Sequence, residues 1–493
     1  MRPLCGEIVG NDWSTLVPEP GEMWTPHALV SICIPVHNPG PGLARTLKCL
    51  AAQTYPHELI EVVIGHDGSD IDFETPEGLP FPVTIAHRER TLDFGAGRAR
   101  NTAAEAASGE ILFFLDGDVI PERHVVASYA RWFDRCELVV PTAICRFVDV
   151  DHLSDEELVE LVMTGDVAET FAGADVDDQG WRERHFERTL DLRIERIDAF
   201  RMAIGATIAV SADQFRDVGG FPELGVRGVE DTAFGYRLHN DGAVVILDRD
   251  ATHWHQGRRN LSDPEVRDRI NEIRAPYVES VIPVKGSRLP DPPARAPVPI
   301  VPVARIRIGD DRPDSAARRS IAELDSANLA LTDAPLGAAA DEAFVQVDLP
   351  ADVAWSPESV ERIWEMFAEH PVGVIRALVG GGDGLLVTIS RTRAIRRAAK
   401  TTPGSTDVTT AAEAIFGVWW ADAGALGLIG PTVPEVAHGN SSAEDEGGTL
   451  AERLRTWPLR RFRHYRRQLV RRHGHISSRM YDAVVSVLRA ATR

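Results

Sequence analysis

The stretch Ile111-Leu112-Phe113-Phe114-Leu115-Asp116-Gly117-Asp118 constrains this chain most. Five apolar residues without alternation read as a strand covered on both faces, which belongs in a largely parallel sheet flanked by helices. The run ends in two carboxylates separated by a glycine. Two hard oxygen ligands held at the mouth of a rigid strand suit Mg²⁺ or Mn²⁺, ions that take one or two carboxylates and leave other positions for phosphates. An ordinary Asp/Gly turn has the same residues, so the reading rests on what the rest of the chain supplies.

Two further β-branched runs, Ala28 to Val36 and Leu59 to Gly65, each run into a polar loop: Pro35-Val36-His37-Asn38 and His66-Asp67-Gly68-Ser69-Asp70. Leu43 to Ala52 has helical period, Val83 to Ala86 is another strand, and Arg98 to Ala107 is an alanine-rich helix. Strand, helix, strand, strand, helix, strand at this spacing predicts an α/β unit with a mostly parallel, Rossmann-like sheet. Ligands of such sheets sit beyond the carboxyl ends of the strands, where all three polar loops fall.

These residues bring a family into view. Val30-Ser31-Ile32-Cys33-Ile34-Pro35-Val36-His37-Asn38, Gln53-Thr54-Tyr55-Pro56 and Glu61 to Asp70 resemble the opening of family 2 glycosyltransferases, and Gly97-Arg98-Ala99-Arg100-Asn101-Thr102-Ala103 with the Asp-Gly-Asp turn resembles that family's next block. The resemblance covers about residues 28–260. It implies the GT-A fold, a nucleotide-sugar donor and a divalent cation. His66 departs from the pattern, standing where the family carries a first aspartate. Asp67 can accept a hydrogen bond from a nucleobase N–H such as the uracil imide, since a carboxylate reads only donors. Arg100 and Arg98 can pair with a diphosphate through their planar forks. Pro35, His37 and Asn101 complete the donor-binding set that the resemblance implies.

Downstream, Met202 to Ser211 reads as a strand carrying Gly205, where a ligand or backbone can approach closely. Gly219-Gly220-Phe221 and the Glu230-Asp231 pair opening a helix resemble the family's acceptor-side motif. Acids also favour a helix N-terminus on electrostatic grounds, which suffices for Glu230. An attacking sugar hydroxyl must lose its proton to a positioned base, and the resemblance carries that role to Asp231. Thr252-His253-Trp254-His255 offers two histidines in an extended segment. His255 is the preferred third metal ligand and His253 the second choice.

The chain has 493 residues, enough for two or three domains at roughly 100–200 residues each. The expected division is an irregular lead-in (1–27), a first α/β domain (28–285), a proline-rich linker (286–312), a smaller α/β domain (313–438), and a polar linker with a basic tail (439–493). Beyond the linker the chain repeats itself in degenerate form. Val345 to Phe367 aligns without a gap with Ile111 to Phe133, Leu386–Ser390 mirrors the strand ending at Ser211, and Gly424 falls opposite Gly242. Pro350 stands for Asp116, Ala412 for Glu230 and Glu413 for Asp231, and no counterpart of the Pro35 loop or Asp67 is found. Such a copy should hold no metal–nucleotide; it should pack against the first domain or support a homodimer.

A net charge of −21 excludes non-specific nucleic-acid binding by the chain as a whole. From Leu450 onward, however, twelve arginines face two acids and alternate with Trp457, Leu459, Phe462 and Leu469. That is a basic amphipathic helix suited to anionic lipid or to the acidic body of the same chain. Five cysteines without paired spacing, no leader-like start and no long apolar run predict free thiols in a reducing cytoplasm, peripheral on a membrane at most. The reading is a metal-dependent, inverting transfer from a UDP-type sugar to a hydroxyl of a glycan, lipid-linked or small acceptor. An inactive nucleotide-binding scaffold and a sugar nucleotidyltransferase are the competing classes.

Overall fold

The apolar run at Ile111 lies in the middle of an eight-stranded sheet. The computed structural model describes residues 5, 8–17, 23–68, 73–89, 95–174, 180–226, 228–257, 264–288, 296–310, 312–334, 342–380, 385–405 and 407–431. The basic tail and the polar linker before it lie outside the described residues. No helix among the described residues is long and apolar enough to cross a membrane.

The first sheet contains β1 (Val30–Val36), β2 (Ile60–His66), β3 (Val83–His87), β4 (Ile111–Leu115), β5 (Val119–Pro121), β6 (Val139–Val148), β7 (Thr207–Ser211) and β8 (Val244–Gln256). Their order is β3-β2-β1-β4-β7-β6-β8-β5. The first four are mutually parallel, β7 runs against both its neighbours, and β6 and β8 are parallel again. Helices α1 (Gly42–Leu50), α2 (Ala96–Ala106) and α3 (Val125–Phe133) flank the sheet. The acidic excursion forms α4 (Asp155–Thr164), α5 (Val167–Thr170) and α6 (Gly180–Arg188). Then α7 (Ala212–Asp217) follows β7, α8 (Val229–Asn240) precedes β8, and α9 (Pro264–Val281) leaves the sheet. All five residues of β4 are buried, as a strand covered on both faces requires. Gly65 of β2 lets α2 lie directly on the sheet, since a Cβ there would overlap the Ala99 carbonyl.

A six-stranded second sheet comprises β9 (Ala304–Ile308), β10 (Leu329–Leu331), β11 (Val345–Leu349), β13 (Val374–Val379), β14 (Leu385–Arg391) and β15 (Val418–Asp422); β12 (Ala354–Trp355) pairs separately with β16 (Leu428–Ile429). Its helices are α10 (Ala316–Leu324), α11 (Ser359–Glu369), α12 (Thr392–Thr401) and α13 (Val408–Phe416). The order β10-β9-β11-β14-β13-β15 repeats β2-β1-β4-β7-β6-β8 of the first sheet, and every neighbouring pair keeps its sense.

Four expectations need correction. Residues 286–312 are not all linker, because β9 lies within them; the prolines on either side hid its short alternation of Ala, Arg and Ile. β9 also supplies a counterpart of β1, ending in Gly309-Asp310 where β1 ends in the Pro35 loop. Val345 pairs with Arg391 where Ile111 pairs with Ser211, so the strand match slips by one residue, and Gly424 lies past β15 in a 3-10 turn. Finally, Cys5 and Cys136 form a disulfide, and Cys33, Cys49 and Cys145 are buried outside any disulfide. A bond across 131 residues leaves no local spacing to read, and it removes the thiol argument for a reducing compartment.

Candidate functional site

The carboxyl ends of β1, β2 and β4 open into one cleft of about 680 Å³, within the range of small-molecule sites. Pro35, His37, Asp67, Gly95, Asp116, Gly117 and Asp118 all line it. On the far side, β8 carries extra residues opposite a break in β6 between Ala143 and Cys145. That bulge re-aims the strand so that His255 pairs with Val119, directly beside the Asp-Gly-Asp turn.

Asp116, Asp118 and His255 each offer a ligand atom within 4.8 Å of the others. His255 Nε2 lies 3.3 Å from Asp118 Oδ1, and its ring stacks on Phe147 at 4.6 Å, which fixes its plane. Two carboxylates and an imidazole fit Mn²⁺ or Mg²⁺, so these three could hold a divalent cation. His253, one pleat-step away, is fully buried against Phe113 and Tyr129, and burial pushes its pKa down to about 3. Residues two apart share a face of a strand, so position along β8 rather than alternation separates the imidazole beside the Asp-Gly-Asp turn from the core one.

Asp67 is 2% exposed. Its Oδ2 accepts from the Gly95 amide at 2.5 Å, and Arg98 Nη1 lies 3.8 Å from Oδ1. Among the described residues, Oδ1 has no hydrogen-bond partner. A buried carboxylate oxygen left unsatisfied is costly unless a ligand donates to it.

The three polar residues of α2 are engaged by neighbours in the chain. Arg98 is buried behind Asp67, donating to the Glu89 carbonyl at 2.8 Å. Arg100 Nη2 holds Asp116 Oδ1 at 2.7 Å and its Nη1 holds Asp231 Oδ1 at 2.8 Å. Burial works against its charge, but Asp231 and Asp116 together hold it above the ordinary guanidinium value. Asn101 exchanges hydrogen bonds with the Phe221 backbone at 2.8 and 2.9 Å and so pins the Gly-Gly-Phe turn. All three lie on the inward face of a helix pressed against the sheet, where polar side chains are spent on neighbours.

The Glu230-Asp231 pair opens α8 as expected, with different environments. Glu230 is buried and accepts from the Gly228 amide in its own turn, a capping arrangement. Burial and the neighbouring Asp231 charge push its carboxyl up. Asp231 reaches Arg100 with its side chain 23% exposed. Burial raises its pKa, Arg100 opposes the rise and the Asp116 charge adds to it.

Gly205, singled out in sequence only as a point of close approach, sits between these groups. A Cβ there would overlap Asp231 Oδ1 and stand 2.9 Å from Arg100 Cζ. Gly205→Ala is therefore expected to split the Arg100–Asp231 pair, costing about 1–3 kcal/mol of stability by overpacking. Chemical denaturation measures the loss, and wild-type stability would mean the site has slack.

Residues 31–202 match the model for glycosyl transferase family 2. The chain is 29% identical over 254 residues to the chondroitin synthase of Escherichia coli, covering 48% of this chain and 36% of that one. It is 29% identical over 252 residues to the validoxylamine A glucosyltransferase of Streptomyces hygroscopicus subsp. limoneus, covering 48% and 53%. Among solved structures, a mannosyltransferase from Pyrobaculum calidifontis in complex with GDP-Man and Mn²⁺ aligns with TM-score 0.33 and 18% identity over 50% of this chain and 63% of that chain. The chain thus spans about half or less of the length of these curated relatives. Motif order, sheet and the candidate cation site agree with that match, so residues 31–202 of this chain are similar to glycosyl transferase family 2.

Proposed function

We propose that the protein transfers a glycosyl group from a uridine diphosphate sugar to an acceptor hydroxyl, with inversion. The observation that carries this is one cleft joining a buried, unsatisfied Asp67 oxygen to the Asp116–Asp118–His255 cluster, with Asp231 tied to the same cluster through Arg100. Asp67 accepts the imide N–H of the base and orients the nucleoside. Asp116, Asp118 and His255 hold the cation, which when bound neutralises charge on the leaving diphosphate. The bond between the anomeric carbon and the diphosphate oxygen breaks, the acceptor oxygen bonds to that carbon, and Asp231 takes the acceptor's proton. Attack from the face opposite the leaving group inverts the centre.

Asp67→Ala is expected to weaken UDP binding by about 10- to 100-fold, the worth of one charge-assisted hydrogen bond. Calorimetric titration with UDP and Mn²⁺ reads this directly; unchanged affinity would remove Asp67 from the donor site.

We also read the second sheet as a degenerate copy of the first, supported by its identical strand order and senses. Its strand ends surround a separate cavity of about 580 Å³. Pro350 takes the place of Asp116 there, and Asp352, opposite Asp118, is paired at 3.0 Å with Arg312. With a guanidinium neutralising the remaining carboxylate, this half has no vacancy for a cation and serves the first by packing.

A further inference from the structure

Helix α8 presents Asp231 in its first turn, and its other end meets the second sheet. The last carbonyls of a helix have no partner within it and usually turn to water. Here Arg393 of α12 donates to the carbonyls of His239 at 2.9 Å and Ala243 at 2.6 Å. Arg397 donates to Ala243 at 3.0 Å and to Gly242. Tyr236 Oη and Asn240 Nδ2 donate to the carbonyls of Glu342 and Ala343 at 2.8 and 3.2 Å. Arg393 and Arg397 are 1% and 0% exposed. Their charges are met by the negative end of the helix and by Glu195, which Arg391 and Arg393 reach at 2.9 and 3.1 Å. Gly242 leaves room for this, since a Cβ there would lie 2.9 Å from the Arg397 amide.

We infer that the second half acts in the transfer reaction as a clamp on α8, and that Arg393 and Arg397 are positioning residues for Asp231. This rests on the reading of Asp231 as the base. A 12-residue helix is a rigid rod of about 18 Å, so tilting its far end displaces its first turn. At that first turn, Asp231 meets Arg100 at 2.8 Å beside Gly205, whose lack of a side chain leaves room for the pair. Asp67, Asp118 and His255 stand on other elements, and Asp116 is linked to α8 through Arg100.

The test compares Arg397→Met with the milder Asn240→Ala in the full chain. Turnover is expected to fall by about 10- to 100-fold in Arg397→Met and less in Asn240→Ala, while UDP–Mn²⁺ affinity stays within about twofold. The acid limb of the turnover–pH profile should shift as Asp231 loses its fixed partner. Should Arg397→Met fail to fold, Asn240→Ala reads the same split between turnover and binding. Full turnover in the folded variants overturns the clamp, and so does loss of nucleotide binding in step with turnover. Asp231→Asn run in parallel separates the two ideas: its full activity overturns the base assignment, whereas an inactive Asp231→Asn beside fully active clamp variants overturns the clamp alone.

Discussion

Replacing Asp231 with asparagine is expected to lower transfer by about 10²- to 10⁴-fold, the usual worth of a positioned proton acceptor, while the protein still takes up UDP with Mn²⁺. Asparagine keeps the shape, and its Oδ1 can still accept from Arg100, so the fold and the Asp116 side of the bridge survive. What it cannot do is receive the acceptor's proton. The pH dependence offers a second check. Burial raises the Asp231 carboxyl above the usual carboxylate range, with Arg100 restraining the rise. The base works only when deprotonated, so wild-type turnover should fall as the pH drops through that raised value. The residual activity of Asp231→Asn should lack this acid limb. A variant with wild-type turnover, or one that retains the limb, would dismiss Asp231 from the chemistry.

Asp118→Asn should abolish the response to Mn²⁺. It removes one of three ligands and one of two negative charges at a site whose third member, His255, is neutral when it binds a metal. Charge stabilisation by a bound cation is worth several kcal/mol, so the rate should fall by about 10²- to 10³-fold. Mn²⁺ titration in the presence of UDP would show the affinity lost. Asp352→Asn in the second half is the matched control: that carboxylate faces Arg312, not a cation, and its removal should leave Mn²⁺ binding as it is. If the two variants behaved alike, the cation would not be sitting at the Asp-Gly-Asp turn.

The groups readable from sequence are those at strand ends. Asp67, Asp116 and Asp118 follow apolar runs, so strand geometry alone sends them to one edge of the sheet, and of the two histidines His255 lies nearer that edge. Residues on α2 were harder. A helix shows its inward face through apolar periodicity, and here that face is Gly, Ala, Arg and Asn, so nothing in the letters says that Arg100 and Asn101 are buried. Their partners, Asp231 and Phe221, lie 131 and 120 residues away. The same distance problem hid the Cys5–Cys136 bond and the role of the lead-in. The repeat was visible through β11 and α11, where its match has no gap. It blurred at β14, where a one-residue slip is invisible to a hydrophobic pattern yet turns every side chain to the other face.

Asn11 carries a consequence for how the molecule comes into being. Its Nδ2 reaches the Leu192 and Val245 carbonyls at 2.7 and 2.8 Å, its Oδ1 accepts from Val245 and Arg393, and Gly10 donates to the Ile415 carbonyl at 3.0 Å. Gly10 and Asn11 precede all of these partners in the chain and leave the ribosome before them. They find their seat only once both sheets have been made, and neither half released by itself would have its seam closed.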